Sequence, residues 1–206
     1  SVRSTGWPPV PEDAVSVAAA LKALELEPEY FFSHDFLARL YLARGFTAEA
    51  IREIRESFAL WPRIEAHPIL EDPDLVGKLA EPILEGIERS ASSPYTGRVM
   101  AARARGRILE KLGRLAEAIA AYDELRRIGH AEISAECDLE LGKLEQQRGR
   151  DAESFPYFER AVGAAPTTAY GIWALYYMGL ARSRQGEHRE AAALFRRHLE
   201  QAPDSL

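Results

Sequence analysis

The residue types that most often perform catalysis or bind metals are few and scattered in this sequence. Its five histidines form no HExxH motif, and His188 and His198 are ten residues apart, too far for two ligands on one helix face. The one cysteine, Cys137, has no histidine near it in sequence, so we expect a buried structural thiol. Paired glutamates such as Glu53 and Glu56 are expected to be solvated. The sequence therefore predicts no catalytic residues, no metal site and no cofactor, and we expect a protein that is not an enzyme.

Cationic side chains are better candidates for binding a partner. Arg103, Arg107 and Lys111 are four residues apart, so they share one face of a helix. Arginine forks at such a face would bind carboxylates or other anions. The alternative is a solvated face on which basic side chains pair with glutamates such as Glu110 and Glu140, which would contribute little energy.

Aromatic side chains form a second candidate. Tyr170, Trp173 and Tyr177 are spaced as one helical stripe. Such a stripe is more often core than binding site, but aromatic and arginine side chains are also what binding hot spots favour. Both interpretations stay open from the sequence.

These candidates lie within a spacing pattern that recurs four times. Each copy centres on a glycine, with small residues seven before and five after it, and a large apolar residue nine after it. The four glycines are Gly45, Gly113, Gly149 and Gly186. Successive units close at Pro28, Pro62, Thr96, His130, Pro166 and Pro203, which are 34, 34, 34, 36 and 37 residues apart.

A period near 34 residues with one helical hairpin in each unit resembles the tetratricopeptide repeat. The resemblance covers most of the chain and implies an all-α fold, an α-solenoid of stacked helix-turn-helix repeats that forms a right-handed superhelix. Small residues let the two helices of a unit approach closely, while a large residue fills the groove beside them. Glycine suits the positive φ needed where the first helix of each unit ends.

The same pattern predicts how the chain is organised. We expect an extended segment over 1–11, a lone second-type helix of a partial repeat over 12–28, a repeat over 29–64, a divergent repeat over 65–98, and repeats over 99–132, 135–168 and 172–206. In the divergent repeat, Asp72 and Pro73 suit the N-cap and first turn of a helix. Pro82 should interrupt that helix near Ala80.

In tetratricopeptide arrays the first helices line a concave groove, and the resemblance implies that residues ten, six and two before each loop glycine face it. These positions are Asp35, Arg39 and Ala43; Arg103, Arg107 and Lys111; Leu139, Lys143 and Gln147; and Tyr176, Leu180 and Arg184. The candidate partner-binding residues are therefore Arg39, Arg103, Arg107, Lys111, Lys143, Trp173, Tyr176 and Arg184. An exposed Trp173 beside Arg184 is the first place to test.

Charge and composition narrow the class of partner. A net charge of −6 argues against nucleic acid as the partner. The sequence contains no run of eighteen apolar residues, so we expect no direct insertion of this chain into a membrane. The preference for arginine over lysine is typical of a GC-rich, bacterial coding sequence. We expect a soluble protein of the bacterial cytoplasm or periplasm, whose partner is a protein or peptide with acidic groups, a C-terminal carboxylate or an anionic glycan.

Two functions fit these observations. The first is a non-catalytic scaffold for protein–protein interaction that binds a partner segment in the groove. The second is a substrate-positioning or assembly domain cut from a larger enzyme or from a glycan-handling membrane protein of the envelope. The truncated first unit and the lack of a polar cap helix after Pro203 favour the second. The uncapped end also admits a homodimer.

Overall fold

The computed structural model describes residues 14–64, 67–92, 97–128 and 130–202. Within those ranges the chain is helical between its turns and contains no strand. The extended segment expected over 1–11 lies outside the described residues. The chain forms two compact units, Ser1–Arg114 and Leu115–Leu206, which divide the polypeptide between two consecutive helices.

Unit 1 consists of short helices that pack in chain order. They are α1 (Ala14–Leu26), α2 (Phe31–Ala43), α3 (Thr47–Leu60), a 3₁₀ turn (Pro68–Glu71), α4 (Pro73–Lys78), α5 (Ala80–Ser90) and α6 (Gly97–Lys111). Helix α2 packs against α1 and α3, and α5 packs against α3 and α6. Apolar side chains from α2 through α6 form one core, in which Ile54, Phe58 and Ile83 are fully buried.

The divergent repeat expected over 65–98 has irregular helices, as the sequence predicts. Asp72 caps α4, because its carboxylate accepts hydrogen bonds from the amides of Asp74 and Leu75 at 2.9 and 3.2 Å. The helix is interrupted at Leu79, and Pro82 then lies in the first turn of α5, where a missing N–H is tolerated. The interruption expected near Ala80 is therefore present.

Helix α5 approaches α3 unusually closely at Gly86. A Cβ atom at Gly86 would lie 2.5 Å from the carbonyl oxygen of Arg55 and 2.8 Å from Cβ of Phe58. Ion pairs flank this contact, with Arg55 Nε donating to Glu85 at 2.5 Å and Arg89 Nη1 donating to Glu56 at 2.6 Å. The close contact positions α5 as the partner of α3.

The expectation that Glu53 and Glu56 are solvated is wrong for Glu53, whereas the side chain of Glu56 is 37% exposed. The Glu53 side chain is 12% exposed and accepts a hydrogen bond from His34 Nδ1 at 2.8 Å. Glu56 is paired with Arg89 from the divergent slot. Both carboxylates instead tie α3 to its neighbours.

Unit 2 is the more regular of the two. Its helices are α7 (Leu115–Ile128), α8 (Ala131–Gln147), α9 (Asp151–Ala164), α10 (Ala169–Arg184) and α11 (His188–Gln201). Helices α8 and α9 form one hairpin, α10 and α11 form the next, and the first helices α8 and α10 also contact each other. The hairpins close as the small and large residues predict, because the rings of Phe158 and Phe195 lie over Gly142 and Gly179.

The turn glycines adopt the predicted conformation. Gly45, Gly113, Gly149 and Gly186 have φ between +70° and +79°. At Gly149 the amide of Arg150 donates to the carbonyl of Glu145 and the amide of Gly149 donates to that of Gln146, both at 2.9 Å. This is the backbone closure that ends a helix at a left-handed residue.

Across the ranges that the structure describes, every helix is too short or too polar to span a membrane.

Candidate functional site

The first-helix surface of unit 2 contains half of the candidate residues. We use that name for the faces of α8 and α10 that carry Lys143, Trp173, Tyr176 and Arg184. Trp173 is the most exposed aromatic side chain among them, at 44%. Tyr176 is half-buried beside it, with the two rings edge to face at 5.6 Å between centroids.

Contacts to α11 hold these two rings in place. The ring of His198 lies 5.3 Å from Trp173 and 5.5 Å from Tyr176, and Phe195 lies 5.7 Å from Tyr176. His198 is buried and its Nδ1 donates to the carbonyl of Ile172 at 2.9 Å. The exposed face of Trp173 is therefore presented on a fixed support.

The aromatic stripe divides between core and surface. Tyr177 stacks on the fully buried Phe158 at 5.9 Å, and Tyr170 packs against the same apolar cluster. Trp173, by contrast, keeps nearly half of its surface exposed. The core interpretation therefore fits Tyr170 and Tyr177, and the surface interpretation fits Trp173.

The cations of this surface are paired with carboxylates of the chain itself. Lys143 Nζ lies 2.5 Å from Glu140 and 5.9 Å from the ring of Tyr177. Arg184 donates two hydrogen bonds to Asp151, at 2.5 and 2.8 Å, and these raise the pKa of its guanidinium. Both pairs are at least partly exposed and add little stability, so a partner could compete for either cation.

The expectation that Trp173 lies beside Arg184 is wrong. Eleven residues separate them on α10, which corresponds to about 16 Å along the helix axis. The two side chains belong to opposite ends of the surface.

The unit 1 candidates differ in how they are engaged. Arg103, Arg107 and Lys111 lie on α6, one turn apart, as the spacing predicts. Arg103 and Arg107 are half-buried and take part in interactions with other side chains. The side chains of Arg39 and Lys111 have no ion-pair partner among the described residues.

Asp35 does not face a groove, contrary to what the repeat pattern implies. It is 2% exposed, and its carboxylate lies 3.2 Å from Nδ1 of His67, whose side chain is fully buried. His67 comes from the irregular segment before α4 and is sandwiched against Phe58, with ring centroids 3.9 Å apart. The divergent repeat therefore covers Asp35, a position that a regular repeat would leave open to the groove.

Ser57, His67 and Asp35 together contain the residue types of a hydrolase triad, but their geometry is structural. Ser57 Oγ and the Asp35 carboxylate both approach the same ring nitrogen, Nδ1, while Nε2 donates to the carbonyl of Trp61 at 2.6 Å. In a catalytic triad, the nucleophile hydrogen-bonds to one ring nitrogen of the histidine and the carboxylate hydrogen-bonds to the other. All three side chains are also buried, which leaves no room for a substrate.

Two further kinds of reactive centre would be a nucleophilic cysteine and a metal site. Cys137 is buried, as expected. Within the described ranges, no cluster of histidine, cysteine and acidic side chains could hold a metal ion.

Sequence reasoning missed the buried acids of α8. Asp138 and Glu145 are 3% and 7% exposed, respectively. They lie on the same stripe of the helix as the buried Leu141, three residues after Asp138 and four before Glu145. Acids within an apolar stripe are a signal that the sequence does contain, because buried carboxylates need charged or hydrogen-bonding partners.

Comparison with known proteins agrees with the repeat pattern. Family models described as tetratricopeptide repeat match residues 134–204 and residues 104–125. No curated protein matches the sequence.

Several solved structures share the fold at low sequence identity. The crystal structure of MamA aligns with 81% of this chain and 94% of its own, at 19% identity and a TM-score of 0.52. PilW, a widely conserved type IV pilus biogenesis factor, aligns over 93% of this chain and 86% of its own, at 13% identity and a TM-score of 0.54. A putative kinesin light chain of Podosopora anserina aligns over 87% and 98%, at 16% identity and a TM-score of 0.51. The repeat spacing, the closed hairpins and these matches show that the chain has an all-α fold of stacked helical hairpins and contains tetratricopeptide repeats within 104–125 and 134–204.

Proposed function

We propose that the chain is a non-catalytic scaffold that binds an extended segment of a partner protein on the first-helix surface of unit 2. Tetratricopeptide repeats supply stacked helical hairpins whose neighbouring first helices form one continuous face. The observation that carries the proposal is Trp173, a large aromatic side chain that is 44% exposed and supported from behind by Tyr176 and His198. Exposed, rigidly held tryptophans are the residues most often dominant in binding energy.

The same surface supports an acidic segment as the partner. Lys143 and Arg184 project from α8 and α10; Lys143 pairs with Glu140 in a partly buried contact, and Arg184 pairs with Asp151 in an exposed one. An incoming acidic side chain replaces an interaction worth about 0 to 1 kcal/mol. The partner therefore gains its affinity from an apolar anchor on Trp173, while its acidic residues set orientation and association rate.

Selection from a library of random peptides tests this function. Peptides are selected on the wild-type chain and their affinities are measured against variants by fluorescence polarisation. Trp173→Ala should weaken binding by about thirtyfold, the effect of a loss near 2 kcal/mol. Leu199→Ala is the matched control, because Leu199 is 42% exposed but lies on the second helix α11.

Two results would contradict the proposal. Selected peptides that bind Trp173→Ala as tightly as wild type place the site elsewhere. The partner is not acidic if the selected peptides are not enriched in aspartate and glutamate, or if Lys143→Glu leaves their affinity unchanged.

A further inference from the structure

A polar pocket of about 590 Å³ lies between α7 and α9, with α8 behind it. Glu145, on its wall, follows Lys143 by two residues, so its side chain points about 200° around α8 from the first-helix surface. The pocket is therefore separate from the surface proposed to bind a partner. Its charged lining residues are Asp123, Arg126, Glu145, Arg150, Glu153 and Arg160.

A buried carboxylate fixes one wall of the pocket. Asp138 accepts hydrogen bonds from Nε and Nη2 of Arg160, at 3.1 and 2.8 Å, and lies 3.9 Å from Nη1 of Arg126. The Arg160 guanidinium also lies 4.7 Å from the ring centre of Tyr157. Arginines from α7 and α9 are thus held around one acid of α8.

Two buried polar atoms in the same pocket have no hydrogen-bond partner among the described residues. One is an acceptor, Oε2 of Glu145, and the other is a donor, Nε of Arg126. Oε1 of Glu145 accepts a hydrogen bond from Nη1 of Arg148 at 3.0 Å. Oε2 lies 3.6 Å from Nη1 of Arg150, which is beyond hydrogen-bonding distance. The pocket therefore contains one unsatisfied acceptor and one unsatisfied donor.

The charges of the lining indicate the class of ligand. Three arginines and three carboxylates line the pocket, so their formal charges cancel. An anion alone would be repelled by Glu145 and Glu153, and a cation alone would be repelled by the guanidinium groups. A neutral ligand with one positive and one negative group matches both sets of charges.

Size and contact geometry narrow the ligand further. The pocket is open to solvent and its volume is far larger than that of a water molecule, so it admits a small polar molecule. Arg150 and Glu145 form a neighbouring cation and anion that are not hydrogen-bonded to each other. A ligand whose own ammonium and carboxylate are adjacent can pair with them in the opposite order.

We propose that this pocket binds a free α-amino acid. The carboxylate of the ligand accepts hydrogen bonds from Arg150 and from Arg126, whose side chain is 36% exposed and turns to present its buried Nε, and the ammonium group of the ligand donates to Glu145 and Glu153. Arg150, whose side chain is 51% exposed, has its Nη1 3.6 Å from Oε2 of Glu145 and turns away from that oxygen as the ammonium group enters.

Calorimetric titration of the chain with each common L-amino acid at low salt tests the proposal. For an amino acid that binds, the amine lacking its carboxylate and the acid lacking its amino group should each bind at least about tenfold more weakly. Glu145→Gln and Glu153→Gln should weaken binding by a similar factor. Glu153 is exposed and has no partner among the described side chains, so its variant keeps the fold if Glu145→Gln does not.

Controls separate this site from the first-helix surface. Arg189→Gln on α11 and Trp173→Ala should leave amino-acid binding unchanged. The proposal is overturned if no L-amino acid binds at about 10 mM, a concentration that detects even millimolar affinity. It is also overturned if the single-charge analogues bind equally well, if Glu153→Gln has no effect, or if Trp173→Ala abolishes binding.

Discussion

Replacing Gly142 by alanine should destabilise unit 2 even though alanine is the better helix former. A Cβ atom at Gly142 would lie 2.4 Å from Cε1 of Phe158 and 2.7 Å from Cδ1. Normal carbon–carbon contacts are about 3.5 to 4 Å, so the ring would have to move by roughly 1 Å. Phe158 is fully buried, and its neighbours in the core are Ala135, Ala161 and Ala174.

The expected magnitude is the difference of two terms. Overpacking of a core side chain costs about 1 to 3 kcal/mol, and the severity of this overlap favours the upper end. Alanine in a helix interior recovers about 1 kcal/mol relative to glycine. The free energy of unfolding should therefore fall by about 2 kcal/mol.

Two matched glycines separate the terms. Gly179→Ala makes the same overlap with Phe195, at 2.6 Å, but Phe195 is only half-buried and its ring can turn outward, so the loss should stay below about 1 kcal/mol. Gly163→Ala, near the end of α9, meets nothing within 4 Å and should be neutral or stabilising by up to about 1 kcal/mol.

Urea unfolding followed by far-ultraviolet circular dichroism measures all three, with the m-value checked for a common unfolding reaction. In thermal unfolding, Gly142→Ala should lower Tm by about 4 to 8 °C. The packing argument is refuted if Gly142→Ala is as stable as Gly163→Ala, or if Gly179→Ala is the more damaging of the two overlaps.

Two further predictions concern histidines of unit 1. Burial of His34 opposes its charged form, but hydrogen bonds to Glu53 and to the carbonyl of Pro28 outweigh it and raise the pKa of His34. The resulting stabilisation is complete below the pKa of about 6.5 that histidine has in the unfolded chain, and it is lost as the pH rises through the raised pKa of the folded protein. The urea midpoint of the wild type should therefore decline over that pH range, and His34→Gln should flatten the decline. An unchanged decline in the variant contradicts this prediction. Asp35→Asn replaces the carboxylate that lies 3.2 Å from Nδ1 of the fully buried His67, and the disturbed buried hydrogen bond should cost about 1 to 3 kcal/mol by urea unfolding. A loss below about 0.5 kcal/mol would show that this buried contact contributes no net stability.

Local rules made the repeat framework predictable. A glycine at the end of a first helix, as at Gly45 or Gly149, specifies a positive φ that other residues rarely adopt, and both have it. The pairing of Gly142 with Phe158 follows from spacing within one hairpin, because both residues lie on helices joined by a short turn. Asp72 caps its helix through atoms only two or three residues away.

The candidate site was harder to predict because its charges are neutralised across longer distances. The pairing of Lys143 with Glu140 is local, three residues apart on one helix. The partner of Arg184 is Asp151, 33 residues earlier, which only the stacking of α9 against α10 brings within reach. Asp35 is buried because His67, from a segment without regular repeat structure, folds over it. Periodicity contains no information about such a segment.

The four turn glycines have a practical consequence for protein engineering. A side chain added at Gly45, Gly113, Gly149 or Gly186 would meet no atom within 4 Å, so each turn projects into free space. The adjoining helix is ended by backbone hydrogen bonds of its own last residues, as at Gly149 and at Gly186, where the amide of Glu187 donates to Arg182 at 2.9 Å. A flexible insert at such a turn would lie outside the packed faces of the two helices. Apart from the turn at Gly149, whose neighbour Arg150 lines the pocket, these turns are accordingly the positions at which a reporter peptide or fluorophore could be introduced.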